Sequence, residues 1–283
     1  MISGQNLKEV SIDQRIVLSK LFQDYKWNYL ADSILDGYMG RALADDENNP
    51  RFAVLEAPSI HLSILGGDSS HPSVVHYVEN LAKFTALLFT SEDWELLIRK
   101  VHDGRLIRVL RYAFTSENLD IVRLQNLRAL LPDGYQLEQM DLKLAQQLAA
   151  ERSGFSADHM LNFDSPQDFI DRGFGFCILT GREIVSVATT FAVCNKGIEI
   201  QINTRKKHRG KKLATVVAAQ LLIHSLEKNL DPNWDAENQV SARLALKLGF
   251  TPQGTYPIIT YTGSRIMAVI GQAGLKIKEW AKE

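Results

Sequence analysis

Two cysteines, Cys177 and Cys194, are too few for a disulfide framework in a chain of 283 residues. Both stand beside Val, Ile and Phe runs, and neither has a basic neighbour to activate it, so buried structural thiols are expected. Long hydrophobic runs are also missing: no stretch reaches about 18 uninterrupted apolar residues, which excludes a membrane-spanning helix. The start, Met1–Glu9, lacks the basic opening and apolar run of a leader, so a soluble cytoplasmic protein is expected. There is no surplus of positive charge, the formal net value being −1, whereas a dedicated nucleic-acid binder carries a basic excess over at least one whole domain. The seven histidines show no H-E-x-x-H or comparable ligand spacing, so no metal is expected. No low-complexity tract and no repeat of about 20–50 residues is found, so both halves should fold.

What is present exceeds the usual single-domain length of about 100–200 residues, which sets two domains as the expectation. Ser11-Ile12-Asp13-Gln14 has capping-box spacing before Ile16, Val17, Leu21 and Phe22, predicting a first helix. Residues 51–56 and 60–65 read as strands, 74–83 as a helix, and 84–89 as a strand. Ser91 then caps a helix carrying Trp94, Leu97, Ile98 and Val101, and residues 106–114 resume strand character. In 117–131 the spacing of Leu119, Val122, Leu127 and Leu130 predicts a bridging helix that Pro132-Asp133-Gly134 ends. The boundary is placed there: 1–130 as a smaller α+β domain, 131–283 as a second. Beyond it come a strand at 135–140, a helix at 142–150 and an antiparallel pair, 174–179 with 184–193, about Thr180-Gly181.

The informative region follows. In Ile198-Glu199-Ile200-Gln201-Ile202-Asn203-Thr204 apolar and polar residues alternate, predicting a strand with the isoleucines on one side and Glu199, Gln201 and Asn203 on the other. Arg205-Lys206-Lys207-His208-Arg209-Gly210-Lys211-Lys212 is a basic turn, and an apolar helix runs from Leu213 to about Asn229. Unpaired amides of a first helical turn, the positive end of the helix dipole and nearby cations all converge where a phosphate would sit. Small Ala214 leaves room for a pyrophosphate to approach. An RNA-binding reading of the same cations lacks interleaved aromatics.

Arg209-Gly210-Lys211-Lys212-Leu213-Ala214 resembles the R-G-x-G-x-A turn of the GNAT N-acetyltransferase superfamily, whose amides hold the pyrophosphate of acetyl-CoA. Lys212 replaces the second family glycine, and a residue that enters a helix with negative φ needs no glycine. Downstream, Asn238–Phe250 is similar to the second superfamily motif, an Asn-capped helix ending in Lys-x-Gly-Phe. Its own pattern agrees, with Val240, Leu244 and Leu248 as the apolar stripe, Asn238 as N-cap and Gly249 just past the end. Pro232-Asn233-Trp234-Asp235 before that helix, with Glu199-Ile200 before the turn, resembles the branch containing the zwittermicin-A-resistance acetyltransferases. The motifs cover 198–250.

The resemblance implies a mixed, mostly antiparallel sheet flanked by helices over 131–283, an α+β (mixed α/β) fold, with the first domain a candidate degenerate GNAT-like half. It implies acetyl-CoA as acyl donor, bound by Ile202, Asn203, Thr204, Arg209, Gly210, Lys211, Lys212, Leu213 and Ala214, with Asn238 and Ser241 along the pantetheine arm. The acceptor is then a primary amine, taken as a small molecule, with neither nucleic acid nor membrane as partner and a homodimer as a candidate assembly. Direct attack on the thioester needs a base, an oxyanion donor and an acid. By resemblance Glu199 is the candidate base, weighed equally against a strand carboxylate that pairs with a neighbouring Lys or Arg. Many members place a tyrosine where Ala245 stands here. Tyr256, Tyr261, Ser241 or a water then takes its place as acid, or the thiolate is protonated by solvent; Tyr256 is preferred among these, although an aromatic on a strand more often packs than catalyses. Trp234 is read as bracing the motif helix. A non-catalytic CoA-binding sensor, and a protein or peptide N-acetyltransferase, are the alternatives.

Overall fold

The computed structural model describes residues 7–151 and 153–280, so the Met1–Asn6 part of the leader reading lies outside the described residues. In chain order the early elements are β1 (Lys8–Val10), α1 (Ser19–Phe22), α2 (Leu30–Leu35), β2 (Arg41–Ala44), β3 (Phe52–Ala57), β4 (Leu62–Gly67), α3 (Pro72–Glu79), β5 (Thr85–Phe89), α4 (Glu92–Val101) and β6 (Leu106–Thr115). They are followed by α5 (Ile121–Arg128), β7 (Gln136–Gln139), α6 (Leu142–Ala150), α7 (Pro166–Arg172), β8 (Gly175–Thr180), β9 (Glu183–Val193), β10 (Gly197–Thr204), α8 (Leu213–Glu227), β11 (Asp231–Ala236), α9 (Gln239–Leu248), β12 (Thr251–Tyr261) and α10 (Arg265–Trp280). Among the described residues no helix is long and apolar enough to cross a membrane.

The chain divides into two compact units. The first comprises Met1–Lys26, Ile34–Arg111 and Tyr256–Glu283, and the second Trp27–Ser33 with Tyr112–Thr255. This differs from the single cut at 130/131 expected from sequence, because strands join a unit through their hydrogen-bonded neighbours and not through chain order. In the first unit β1, β2, β3 and β4 pair antiparallel in succession, α3 carries the chain across to β5 parallel to β4, and β12 pairs antiparallel with β5. In the second, β7, β8, β9 and β10 pair antiparallel in succession, α8 crosses to β11 parallel to β10, and β6 pairs antiparallel with β11. One connectivity thus occurs twice, and each sheet is mixed but mostly antiparallel.

The first helix forms differently from expectation. Residues Ile12–Leu18 are a 3-10 helix leading into α1, the Ser11 side chain makes no cap hydrogen bond, and Ile16 is 74% exposed. In α5 the buried residue is Leu124, not the predicted Val122. The core of the first unit joins Phe52, Val54, Leu65 and Leu87 of the sheet to Val74 and Val78 of α3 and Trp94 and Ile98 of α4.

In the second unit α8 is apolar nearly all round and is packed accordingly. Val216, Val217 and Leu221 meet Phe176, Ile178, Val185 and Ile198 of the sheet, while Ala218, Ala219, Leu222 and Ile223 meet Leu124, Trp234, Ala245 and Leu248. Each such Val, Leu or Ile contributes about 1.5–3 kcal/mol by leaving water. The other sheet face, with Cys177, Ile184 and Val187, is covered by Ala145, Leu148 and Phe169 of α6 and α7. Cys177 and Cys194 are buried free thiols, and burial pushes them up to about 12 and about 11. This packing fixes the first turn of α8 beside the end of β10.

Candidate functional site

β10 is bonded along its length to β9, from Ile198↔Val193 to Thr204↔Ser186, with a register shift between Glu199 and Ile200. Its parallel pairing with β11 covers only Gly197↔Asp231, Ile198↔Pro232 and Glu199↔Asn233. From there β11 pairs instead with β6, through Trp234↔Phe114, Asp235↔Ala113 and Ala236↔Tyr112. The two central strands therefore part after Glu199 and Asn233. Among the described residues no β10–β11 rung follows, so strand edges at 200–204 and 234–236 face a fork into which an extended ligand can hydrogen-bond.

The crotch of the fork is polar and pinned. Glu199, 5% exposed, accepts from the Tyr29 amide at 3.0 Å and from Asn233 Nδ2 at 2.9 Å, both on Oε2. The Tyr29 hydroxyl donates to the Asp231 carboxylate, and the Lys196 ammonium lies 4.5 Å from the centre of the Tyr29 ring and 2.9 Å from Asp32. Burial, with the Asp231 carboxylate, holds the Tyr29 phenol well above its usual value. Segment 27–33 joins the second unit through these contacts. Glu199 is buried among these donors and is not the exposed carboxylate of the alternative reading.

After β10 comes a 3-10 turn, Lys206–His208, then extended Arg209 (φ −68°), left-handed Gly210 (φ +78°) and left-handed Lys212 (φ +63°) at the N-cap of α8. The expectation that Lys212 enters the helix with negative φ is thereby corrected. The chain needs a left-handed residue to turn from the strand into the helix, and Lys212 adopts it at a cost of about 1–2 kcal/mol. The side chain of the N-cap residue Lys212 makes no cap hydrogen bond among the described residues, so the first-turn amides keep the positive end of the helix dipole open. A Cβ built on Gly210 meets nothing within 4 Å.

The basic residues divide by role. Arg205 turns inward, donating to the Ile184 carbonyl at 2.6 Å and to Glu151 at 2.5 Å, with its guanidinium 4.3 Å from the Phe155 ring centre. Arg209 Nε donates to the Thr204 carbonyl at 3.2 Å, and Lys211 Nζ to the Tyr135 hydroxyl at 2.9 Å. That hydroxyl also lies 2.9 Å from His208 Nδ1, so His208 helps to orient Tyr135 under the turn. Lys206, Lys207 and Lys212 are exposed, while buried Leu213 and half-buried Ala214 open the helix. Lys247 of α9 adds a further cation here, with Nζ 3.3 Å from Thr215 Oγ1. Lys247 and Tyr135 lie far from the turn in sequence, and only folding brings them to it.

Asn238 is the N-cap of α9, as its position before the helix suggested: Oδ1 accepts from the amides of Val240 (3.0 Å) and Ser241 (3.1 Å). Gly249 ends the helix at φ +112°. Ser241 Oγ accepts from Trp234 Nε1 at 3.1 Å, so Trp234 does brace this helix. The predicted apolar stripe is corrected: Val240 is 55% exposed, and the buried face is Ala245 with Leu248, flanked by Ala242 and Leu244. Ala245 lies in the core with Leu124, Ala219 and Trp234, so a tyrosine side chain there would have to displace packed atoms.

The expected residues are not all gathered in one unit. Ile202, Asn203, Thr204, the turn 209–214, Asn238, Ser241 and Glu199 belong to the second unit, whereas Tyr256, 1% exposed, and Tyr261 belong to the first. Asn203 points its amide at His159 Nε2 (3.3 Å), and His159 Nδ1 lies within hydrogen-bond distance of Thr189 Oγ1 (2.8 Å). Burial drives this imidazole down to about 3, so it is neutral and holds Asn203 in place. Nothing in the spacing around His159 marked it, since its partners are strand residues far along the chain.

A family model described as GNAT acetyltransferase matches residues 19–259. A curated relative, the uncharacterized N-acetyltransferase YdfB of Bacillus subtilis, is 27% identical, covering 91% of this chain and 99% of its own. The crystal structure of a GCN5-related N-acetyltransferase-like protein from Streptococcus suis superposes with a TM-score of 0.77 at 29% identity, covering 88% of this chain and 98% of that one. A tandem GNAT protein from the clavulanic acid biosynthesis pathway shares the fold at TM-score 0.57 and 11% identity, covering 90% of this chain and 98% of that one. None of these names carries the zwittermicin-A-resistance branch.

Proposed function

The chain belongs to the GNAT acetyltransferase family, and from that premise we propose that it transfers an acetyl group from acetyl-CoA to a primary amine of a small molecule, by direct attack within a ternary complex. The observation that carries this reading is the N-terminus of α8. Its N-cap residue makes no side-chain cap hydrogen bond, it follows the open left-handed Gly210, the turn's lysines directly precede it in the chain, and Lys247 Nζ lies 3.3 Å from Thr215 Oγ1 in its first turn. A pyrophosphate needs amides and cations at one point, and a pantetheine arm needs unpaired strand edges leading away from it. The fork after Glu199 and Asn233 supplies those edges.

In this reading the amine nitrogen attacks the thioester carbonyl, the N–C bond forms, and the C–S bond breaks as the oxyanion collapses. Glu199, fixed at the crotch, takes the ammonium proton directly or through a water, and edge amides of the fork receive the oxyanion. Tyr256, 1% exposed, is given no part, and the departing thiolate takes its proton from solvent. The test is thermal: acetyl-CoA raises the melting temperature of the protein, and Gly210→Asp, which sets a carboxylate against the pyrophosphate, abolishes the rise. An unmodified protein that shows no rise overturns the reading.

A second reading, a CoA-binding sensor without turnover, is favoured by one observation, the burial of Ala245 in the core where many family members carry a tyrosine. Thiol release from acetyl-CoA across a panel of amines separates the two. Acceleration by any amine supports the enzyme, and saturable binding with none supports the sensor.

A further inference from the structure

Because the two units share one connectivity, the first contains its own counterpart of the donor site: β4, the turn after it, α3 and β5 stand where β10, the basic turn, α8 and β11 stand in the second. We infer that this counterpart is shut by the protein's own groups, so that each chain binds one acyl donor and binds it in the second unit. The inference rests on the donor reading above and adds the stoichiometry and the identity of the silent site.

The strands differ first. β4 and β5 stay paired through Leu62↔Ala86, Ser63↔Leu87, Ile64↔Leu88 and Leu65↔Phe89, and the Thr90 amide adds a bond to the Leu65 carbonyl at 3.1 Å. No register shift interrupts β4 against β3. The edges that part after Glu199 and Asn233 in the second unit are here bonded to each other, which leaves no slot for an extended arm.

The turns differ next, through independent chemistry. Gly66-Gly67-Asp68-Ser69-Ser70-His71-Pro72 contains no lysine or arginine and one carboxylate. Asp68 accepts from the Ser70 amide (2.9 Å) and the Ser70 hydroxyl (2.6 Å), and pairs with Arg51. These bonds hold its carboxyl below the usual carboxylate range, so an ionised carboxylate already paired with Arg51 stands at the helix entrance. His71 caps α3, with Nδ1 accepting from the Ser73 amide at 3.3 Å, and Pro72 at the first helical position has no amide hydrogen to offer. Two donors that α8 leaves open are therefore used or missing in α3. The left-handed glycines differ as well. A Cβ on Gly67 would lie 2.3 Å from the Arg51 carbonyl oxygen, so this glycine is pressed against backbone, whereas the surface at Gly210 is open.

The experiment is titration calorimetry of the full chain with acetyl-CoA, repeated on Gly210→Asp and on the exposed double variant Lys206→Glu/Lys207→Glu, each first checked for folding by its near-ultraviolet dichroism. The expected result is one equivalent bound by the unmodified chain, with Gly210→Asp binding none and the double variant weakened at least tenfold. Should Gly210→Asp fail to fold, the double variant alone decides. Two equivalents overturn the inference and leave the donor reading standing. One equivalent unaffected by either variant, or no binding at all, overturns both.

Discussion

Glu199 and Asn233 are joined twice: they face each other in the last rung between β10 and β11, and the Asn233 amide donates to the Glu199 carboxylate at 2.9 Å. The side chains thereby fix the point at which the two strands separate. Their bond and the bond from the Tyr29 amide converge on one oxygen, so removing the carboxylate takes that acceptor from the part-buried Tyr29 amide and from Asn233, whose Nδ2 also reaches the Trp27 carbonyl at 3.5 Å.

Glu199→Ala should therefore destabilise the protein by about 1–3 kcal/mol, the cost of weakening two hydrogen bonds to a charged acceptor. Glu199→Gln keeps an oxygen in place and should cost less than about 1 kcal/mol, yet should lower kcat/KM by about 100-fold or more if the group accepts the amine proton. Urea unfolding and steady-state rates on the two variants check this. Equal activity of Glu199→Gln and the unmodified enzyme would reduce the residue to a structural pin.

Lys212 holds a left-handed conformation that glycine adopts without strain. Lys212→Gly should raise stability by about 1 kcal/mol. Since the variant keeps the uncapped amides and loses one cation, its affinity for acetyl-CoA should fall less than that of Gly210→Asp. Thermal melts with and without acetyl-CoA measure both effects.

His159 provides a pH test. Burial lowers its imidazole to about 3 from the ordinary value near 6.5. The unfolded chain therefore takes up a proton that the folded chain refuses, so the stability involved is complete above pH 6.5 and is lost as the pH falls toward 3. The limiting slope is about 1.4 kcal/mol per pH unit. Denaturant midpoints at pH 7, 6, 5 and 4 should fall less steeply in His159→Gln, which retains polar contact with Thr189 and Asn203 without titrating. Parallel slopes in the two proteins would refute the assignment.

Ala245 is a packing position. Ala245→Tyr should destabilise by about 1–3 kcal/mol through overfilling of the core around Leu124 and Trp234, and should not increase turnover. A variant that is both stable and faster would mean that the side chain reaches the fork after all.

The parts of this site legible in the sequence were local. The period-two isoleucines of β10, the cluster of lysines at the turn, and the Asn238 and Gly249 signals at the two ends of α9 depend on residues a few positions apart, and the corresponding elements formed at nearly the expected boundaries. Properties set by distant partners were not legible. Val240 fits a helical stripe on paper but is exposed, since the position of α8 and α5 decides which face of α9 is covered. The sign of φ at Lys212 depends on how sharply the turn must bend. Tyr29 lies 170 residues from the carboxylate its amide meets, and no spacing rule links such a pair. The duplication of the fold was legible in the order of elements, though not as a short repeat, because it lies in strand connectivity and not in residue identity.

The closing strands impose an order on biosynthesis. β5 obtains its antiparallel neighbour from Ile259, Thr260 and Tyr261, synthesised long after it, while β11 pairs with a strand made long before it. A nascent chain released from the ribosome tunnel up to residue 250 would hold the pieces of the second sheet and an incomplete first one. Expression of 1–130 by itself should accordingly give aggregation-prone material, and stalled or truncated products would be natural clients for chaperones.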